Sequence, residues 1–497
     1  MKPWALRGEI KTLIFKQISR ENGSTSKKLR FALFFNYSEK VLYMHTPNPV
    51  ILREYDVRGT FGKNLFEVDA TWLGQRFGSL LYKNGGRNVV VCRDGRASSP
   101  VLHAALCKAL IDCGLHVHDI GVGPTPFSYF AGYELNADAT LMITGSHNPK
   151  DDNGIKITLG NKPFFGGQIL ALQAEPALEN VGGSYTSAEH VFEKYINRLV
   201  QRHTFKKPLR IAWDAGNGAA GPVVEALCAA LPGHFHVKLF TEIDCNFPNH
   251  HPDPSQPKNL THLIDAVAQH KCDIGFAFDG DGDRIGVVDS TGRIIAGDEL
   301  VAILATAILQ EAPGATIIAD VKCSNHTFSA ITVASGKAIM ERTGHSWIKQ
   351  SMAQNGAAFA GEMSGHMFFK YSYYGFDDGL YAAVFLADFI QKLPGSFANL
   401  VAQLPSSYST PEIRLECREE DKFSIIDELK EKLIAAGKQF NAIDGVRVEE
   451  SHGWWLVRAS NTQSALIIRA EGNTEADLKV ILDQLKVFGV DVPPSSL

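Results

Sequence analysis

Three times along its 497 residues the chain repeats one unit, a short apolar run, a polar loop and then a helical pattern. Near the front, residues 88–92 (NVVVC) run into the polar stretch 93–99. The helical pattern 100–113 and another short strand at 116–120 follow. The unit resumes with a strand at 209–213, the turn DAGNG and a helical stretch at 222–231. It appears again at 315–321, followed by helical patterns at 328–335 and 347–355. Strands alternating with helices build mostly parallel sheets covered by helices on their faces. The spacing therefore predicts an α/β fold, with three tandem related α/β domains with mixed sheets around a central cleft. Beyond residue 406 the pattern changes. Strands at 446–448, 454–458 and 465–469 and a helix at 475–488 predict a C-terminal α+β domain. The expected domains are 44–190, 191–296, 297–406 and 407–497, behind an N-terminal extension, 1–43, that reads as disordered.

A chain this long exceeds the roughly 300 residues at which a single core stops growing, which agrees with several domains. Its net charge of −5 gives no basic field for nucleic acid or an anionic membrane. The longest apolar run, 300–309, is roughly half of what a spanning helix needs. The eight cysteines are scattered, with no C-x-x-C pair, and read as buried hydrophobes of a reducing, cytoplasmic compartment.

In open α/β sheets, ligands gather at the carboxyl ends of strands. The richest polar clusters fall there. Residues 139–143 run into TGSHNP (144–149), 273–278 into DGDGDR (279–284), and 357–360 into GEMSGH (361–366). In DGDGDR, Asp279, Asp281 and Asp283 alternate with glycine, so their carboxylates can converge on one point. Like charges so close call for a cation, and hard oxygen ligands suit Mg²⁺. An EF-hand is excluded, because Arg284 stands where the loop needs Gly and Ser290 where it needs Glu.

TGSHNP presents Ser146 on a turn beside His147. Alone, the loop fits a capping serine with a structural histidine, or a serine nucleophile for acyl transfer, although no G-x-S-x-G elbow is present. Beside a metal loop the serine reads best as a phosphoryl carrier, and Lys156, in NGIK, as a stabilising charge. GEMSGH offers Glu362, Ser364 and His366, a set that can bridge sugar hydroxyls. RASNT (458–462) offers Arg458, Ser460, Asn461 and Thr462, donors enough for a phosphate.

In this order the motifs resemble those of the α-D-phosphohexomutases, most closely the bacterial phosphomannomutase/phosphoglucomutase branch. The similarity runs from about Val50 to the C-terminus. It is supported by REYDVRG, RDGRAS, NFPNHHPD, VKC, TGHS and GFDDG. The resemblance implies four domains around a cleft and a phosphorylated Ser146 that ligates Mg²⁺ together with Asp279, Asp281 and Asp283. Arg58, Lys156, Arg284 and His345 would serve catalysis, with the general base among Arg58, Lys156 and His345. Tyr55 and Lys322 would line the site, Glu362 and Ser364 would read sugar O3 and O4 with His366 nearby, and Arg458, Ser460, Asn461 and Thr462 would hold the distal phosphate.

The implied reaction interconverts hexose 1-phosphate and hexose 6-phosphate, of mannose and also of glucose, through a hexose 1,6-bisphosphate that doubles as activator. The expected partners are sugar phosphates, with no nucleic acid and no membrane, and the chain would be a monomer or dimer. The alternatives are a phosphoglucosamine mutase and a metal-dependent serine phosphatase. Gln463–Ser464 and KYSYY (370–374) depart from the family pattern without touching a catalytic role.

Overall fold

The computed structural model describes residues 45–492 apart from 179–180, 205 and 462–463. The extension expected over 1–43 and the candidate Thr462 therefore lie outside the described residues. Four sheets follow one another in the unit Pro47–Leu497. In the first, Asn88–Arg93 pairs in parallel with His116–Val122 on one side and Ala139–Ile143 on the other. In the second, Arg210–Asp214 takes the same place between Phe235–Leu239 and Ile274–Phe278. In the third, Thr316–Asp320 lies between Lys337–Glu341 and Phe359–Gly361. Each parallel trio then gains an antiparallel strand, Asp152–Leu159, Ile285–Asp289 and Met367–Phe369 respectively. The three domains thus share one topology on mixed sheets.

This return strand refines the expectation of mostly parallel sheets. The three polar loops are hairpin turns, not strand-to-helix crossovers. The signal was weak because each return strand follows directly on a polar, Gly-bearing turn, and two of the three have five residues or fewer. Val57–Thr60 pairs antiparallel with Asp152–Leu159 and closes that edge of the first sheet. The fourth sheet is antiparallel throughout, with Ala465–Gly472 at its centre between Gly453–Ala459 and the strands Tyr408–Ser409 and Ile413–Glu416.

The strands' period of two decides which core each residue joins. Val90 and Cys92, Ile211 and Trp213, and Ile317 and Ala319 point to one shared core that runs through the first three sheets. Their neighbours Val89 and Val91, Ala212 and Ile318 point the other way, into separate clusters. The apolar run 300–309 belongs to the helix Gly297–Glu311, buried in the shared core. No helix among the described residues is long and apolar enough to cross a membrane. KYSYY lies in the same region. Tyr373 and Tyr195 donate to Asp378, which also accepts from Tyr381 N at the start of the helix Gly379–Lys392.

The fourth sheet keeps its own core, and its apolar join to the third domain is small, with Val321, Trp454 and Leu456 at its centre. Polar contacts supply the rest. Arg447, 0% exposed, donates to the carbonyls of Val321 and Cys323 and to Asn325 Oδ1, with its guanidinium 3.7 Å over the Trp454 ring. Arg469 reaches Asp298 at 2.9 Å, and Ser324 donates to Glu471. Removing the Arg447 fork takes this donor from two buried carbonyls, those of Val321 and Cys323, at a cost of about 2–4 kcal/mol. A urea titration of Arg447→Met, followed by tryptophan fluorescence, should show the C-terminal domain unfolding at clearly lower urea. An unchanged profile would mean that the join is held elsewhere.

Candidate active site

The three hairpin loops meet. Each turns through one left-handed residue: Gly282 (φ +72°), Gly365 (φ +94°) and, in the first loop, Ser146 (φ +49°). Two are glycines, for which this conformation is free, whereas a serine adopts it at a cost of about 1 kcal/mol. That strain is held by neighbours. Thr144 Oγ1 accepts from Ser146 N, and Asp94 accepts from Gly145 N. Arg96, buried under the loop, donates to the carbonyls of Ser146, Asn148, Pro149 and Asp152. Arg96 and Asp94 come from RDGRAS, which the sequence reading noticed as a motif but gave no role.

Ser146 is 4% exposed, and its Oγ donates to Asp279 Oδ2 at 2.8 Å. The two loops touch through their backbones as well. A Cβ at Gly280 would lie 2.3 Å from the Ser146 carbonyl oxygen, so only glycine allows this approach. Asp279, Asp281 and Asp283 are each 0% exposed, with one carboxylate oxygen from each within 4.8 Å of the others. Thr125, missed in the sequence, donates to Asp281 Oδ2 at 2.5 Å through its hydroxyl and to the Asp281 carbonyl through its amide. It starts the helix Thr125–Glu134, and its only sequence signal was the GPTP turn before that helix.

One lysine faces this charge. Lys156, on Asp152–Leu159, lies 2.8 Å from Asp281 Oδ2 and 2.5 Å from Asp283 Oδ2. Burial works against its ammonium, but Asp281 and Asp283 outweigh burial and hold its pKa well above the ordinary lysine value. Burial, with Asp281 and Asp283 alongside, pushes the Asp279 carboxyl well above its usual range. Among the described residues Asp281 Oδ1 and Asp283 Oδ1 have no well-aligned hydrogen-bond donor despite full burial. Orphaned oxygens on two of three converging carboxylates fit a hard divalent cation, with the Ser146 side chain placed as a further ligand.

The sugar loop attaches to the same carboxylates. His366 Nε2 lies 3.2 Å from Asp283 Oδ1, and its Nδ1 lies 3.2 Å from Glu362 Oε2 and 3.0 Å from Ser364 Oγ. Burial disfavours a charged ring, but Asp283 and Glu362 overcome it and raise His366 to about 9. Glu362 Oε1 accepts from Gly344 N at 2.6 Å, which fixes this carboxylate against TGHS. Arg284 gives its amide to Asp279 at 3.2 Å, and its Nε lies 3.4 Å from His366 Nε2.

The remaining candidates spread outward. Arg58 pairs with Asp56 at the first-domain edge, and Lys322 lies 3.0 Å from Glu412. Arg458 Nε donates to Asp444 at 2.7 Å, a partner the sequence gave no sign of. Asn461 donates to Tyr55 OH, which donates to the Thr343 carbonyl, linking the first, third and fourth domains. Ser460 is buried, its carbonyl accepting from Lys422. His345 begins the helix His345–Asn355, with its ring 5.8 Å from that of Tyr55. Ser146, the aspartates, Lys156, Arg284 and the sugar loop therefore form one connected cluster. Tyr55, Arg458, Ser460, Asn461 and Lys322 lie around the join with the fourth domain.

Comparison with known proteins gives a consistent pattern. The family model for phosphoglucomutase/phosphomannomutase alpha/beta/alpha domain I matches residues 49–171, domain II 193–292 and domain III 296–408, and the C-terminal domain model matches 412–486. A phosphomannomutase/phosphoglucomutase of Pseudomonas putida is 44% identical over 446 residues, covering 89% of this chain and 96% of that protein. A phosphoglucomutase of Neisseria meningitidis is 40% identical over 88% of this chain and 96% of its own length. The crystal structure of a phosphoglucomutase/phosphomannomutase family protein from Burkholderia thailandensis superposes with a TM-score of 0.84 at 40% identity, covering 90% of this chain and all of that one. With all four domains matched in order, the chain belongs to the phosphoglucomutase/phosphomannomutase family.

Proposed function

We propose that the chain is a phosphohexomutase that interconverts hexose 1-phosphate and hexose 6-phosphate, with Ser146 as the phosphoryl carrier. The observation that carries this reading is one contact: Ser146 Oγ lies 2.8 Å from Asp279, within a buried triad whose far side holds the sugar loop through His366. A phosphoryl store, a cation site and a sugar-reading loop share one set of carboxylates.

In this mechanism Asp279, Asp281 and Asp283 hold Mg²⁺ together with phospho-Ser146. The bound ion would neutralise charge that builds on the transferring phosphoryl group. The bond from phosphorus to Ser146 Oγ breaks as a bond forms to the free sugar hydroxyl, giving a hexose 1,6-bisphosphate. Its other phosphate then returns to Ser146. Arg284 and Lys156 supply positive charge beside the transfer. The hydroxyl proton needs a base. Arg58 is paired with Asp56, and Lys156 is held charged by two aspartates. His366 is held charged by Asp283 and Glu362, so the neutral imidazole of His345 remains as the acceptor.

Glu362 and Ser364 read O3 and O4, which leaves C2 unread and admits both mannose and glucose. Tyr55, Lys322, Arg458, Ser460, Asn461 and Thr462 close on the distal phosphate, and the fourth domain, with its separate core and polar join, moves to admit the sugar.

A coupled assay of purified protein with Mg²⁺ on mannose 1-phosphate, glucose 1-phosphate and glucosamine 1-phosphate tests the reading. The expected outcome is the 6-phosphates of mannose and glucose. Release of inorganic phosphate alone would establish a serine phosphatase instead, and preference for glucosamine 1-phosphate an amino-sugar mutase. Arg458→Ala should raise KM about 10–100-fold with kcat changed much less, because a charge-assisted contact to a non-reacting phosphate is made equally in ground and transition states. Equal losses in kcat and kcat/KM would assign Arg458 to the reacting phosphate.

A further inference from the structure

GFDDG (375–379) takes no part in the mechanism above, yet it places a fully buried carboxylate behind the two imidazoles. Asp377 is 0% exposed. Its backbone bridges to Phe368, and Gly379 N, two residues on, donates to the Gly282 carbonyl of the metal loop. The residue is therefore fixed between the sugar-loop hairpin and DGDGDR. Asp377 Oδ1 accepts from Lys349 Nζ at 2.9 Å. Lys349 also donates to Tyr129 OH at 3.2 Å and lies 4.3 Å over that ring.

The other oxygen, Oδ2, has no hydrogen-bond partner among the described residues. It lies 3.8 Å from His345 Nδ1 and 3.9 Å from His366 Nε2, just beyond bonding distance of each. His366 Nε2 already faces Asp283, but His345 Nδ1 is also without a partner. A buried carboxylate oxygen and a ring nitrogen left unpaired side by side are costly, and a small ring rotation joins them. Burial, then Lys349 and Lys156, push His345 well below the ordinary imidazole range. The ring is thus neutral and carries one N–H.

We propose that Asp377, held by Lys349, is a positioning residue that accepts the Nδ1–H of His345 and so fixes that ring's tautomer. The Nε2 lone pair is then kept free to accept a proton or a hydrogen bond, the arrangement in which a carboxylate orients an imidazole for acid–base work. The consequence for turnover rests on the mutase reading, whereas the tautomer does not.

The test is histidine ¹⁵N NMR on the full-length protein, with His345→Gln identifying the His345 signals. In the wild type, Nδ1 should show the shift of a protonated ring nitrogen and Nε2 that of an unprotonated one. In Asp377→Asn the two should exchange, because the amide offers Nδ1 a donor. In the mutase assay Asp377→Asn should lower kcat about 10²-fold or more with KM within about two-fold, and Asp377→Glu should recover part of the loss. A wild-type Nε2–H tautomer overturns the proposal whatever becomes of the Asp377 variants, and so does an Asp377→Asn spectrum with the wild-type pattern. A protein that shows the exchange but interconverts no hexose phosphate keeps the positioning role and rejects the mutase reading.

Discussion

Ser146→Ala should lose hexose phosphate interconversion by roughly 10⁴-fold or more while staying folded, and the single phosphate on the protein should vanish from its intact mass. Losing a carrier removes the route itself. In the proposed reaction the two ends of the sugar exchange phosphate only through Oγ, and no neighbouring side chain duplicates that atom. His147 Nδ1 is 3.1 Å away, but burial, then Arg284 and Arg58, hold its ring well below the ordinary imidazole range. The fold should tolerate the change, since the Arg96 and Thr144 contacts are made to the Ser146 backbone. Ser146→Gly should be equally inactive yet more stable than Ser146→Ala by about 1 kcal/mol, because glycine adopts φ +49° without strain. The pair separates the chemistry of the hydroxyl from the geometry of the loop. A phosphate that persists on Ser146→Ala would move the carrier to another residue and end this assignment.

Much of this site was legible because its chemistry is packed into short loops. DGDGDR needs only its own spacing to gather three carboxylates, and TGSHNP and GEMSGH follow apolar strands whose ends were visible. Contacts made by single residues far away in the chain were not legible. Thr125 meets Asp281 across 156 positions, and Arg96 meets Ser146 across 50. No periodicity announces such a pairing, since it is created only when sheets stack. Asp377 was hidden differently, as a carboxylate in a motif whose partners, Lys349 and His345, lie on a separate helix. The fold shows the same division. The β-branched apolar run at 88–92 revealed a strand, but not that Val90 and Cys92 would share a core with Trp213 and Ala319. Of the return strands only the one entered at Lys156 was legible, and those at Ile285–Asp289 and Met367–Phe369 escaped because strands of three to five residues after a polar turn resemble ordinary loop sequence.

Asp279→Asn should abolish most turnover, by about 10³-fold, and at the same time make the metal-free protein more stable at neutral pH. The two effects share one cause. Burial, with Asp281 and Asp283 beside it, raises the folded-state pKa of Asp279 well above the unfolded value. A carboxyl raised in this way binds more protons folded than unfolded. Its contribution is most favourable below the unfolded pKa and is lost as pH rises toward the folded one, so at neutral pH this carboxyl destabilises the metal-free protein relative to an uncharged side chain of the same shape. An amide keeps the shape, with its oxygen accepting from Arg284 N and its NH2 donating to Ser146 Oγ, and it carries no charge to repel its neighbours. Thermal unfolding in chelator should therefore give Asp279→Asn a higher midpoint than wild type at pH 7, with the gap shrinking toward pH 4. Added Mg²⁺ should raise the wild-type midpoint and leave the variant nearly unmoved, because the loss of one of three carboxylates weakens the site for a hard cation. If the variant bound Mg²⁺ like the wild type, these three aspartates would not form the cation site. If it were less stable in chelator, the repulsion among them would already be relieved in the metal-free fold by Lys156, the cation that lies between Asp281 and Asp283.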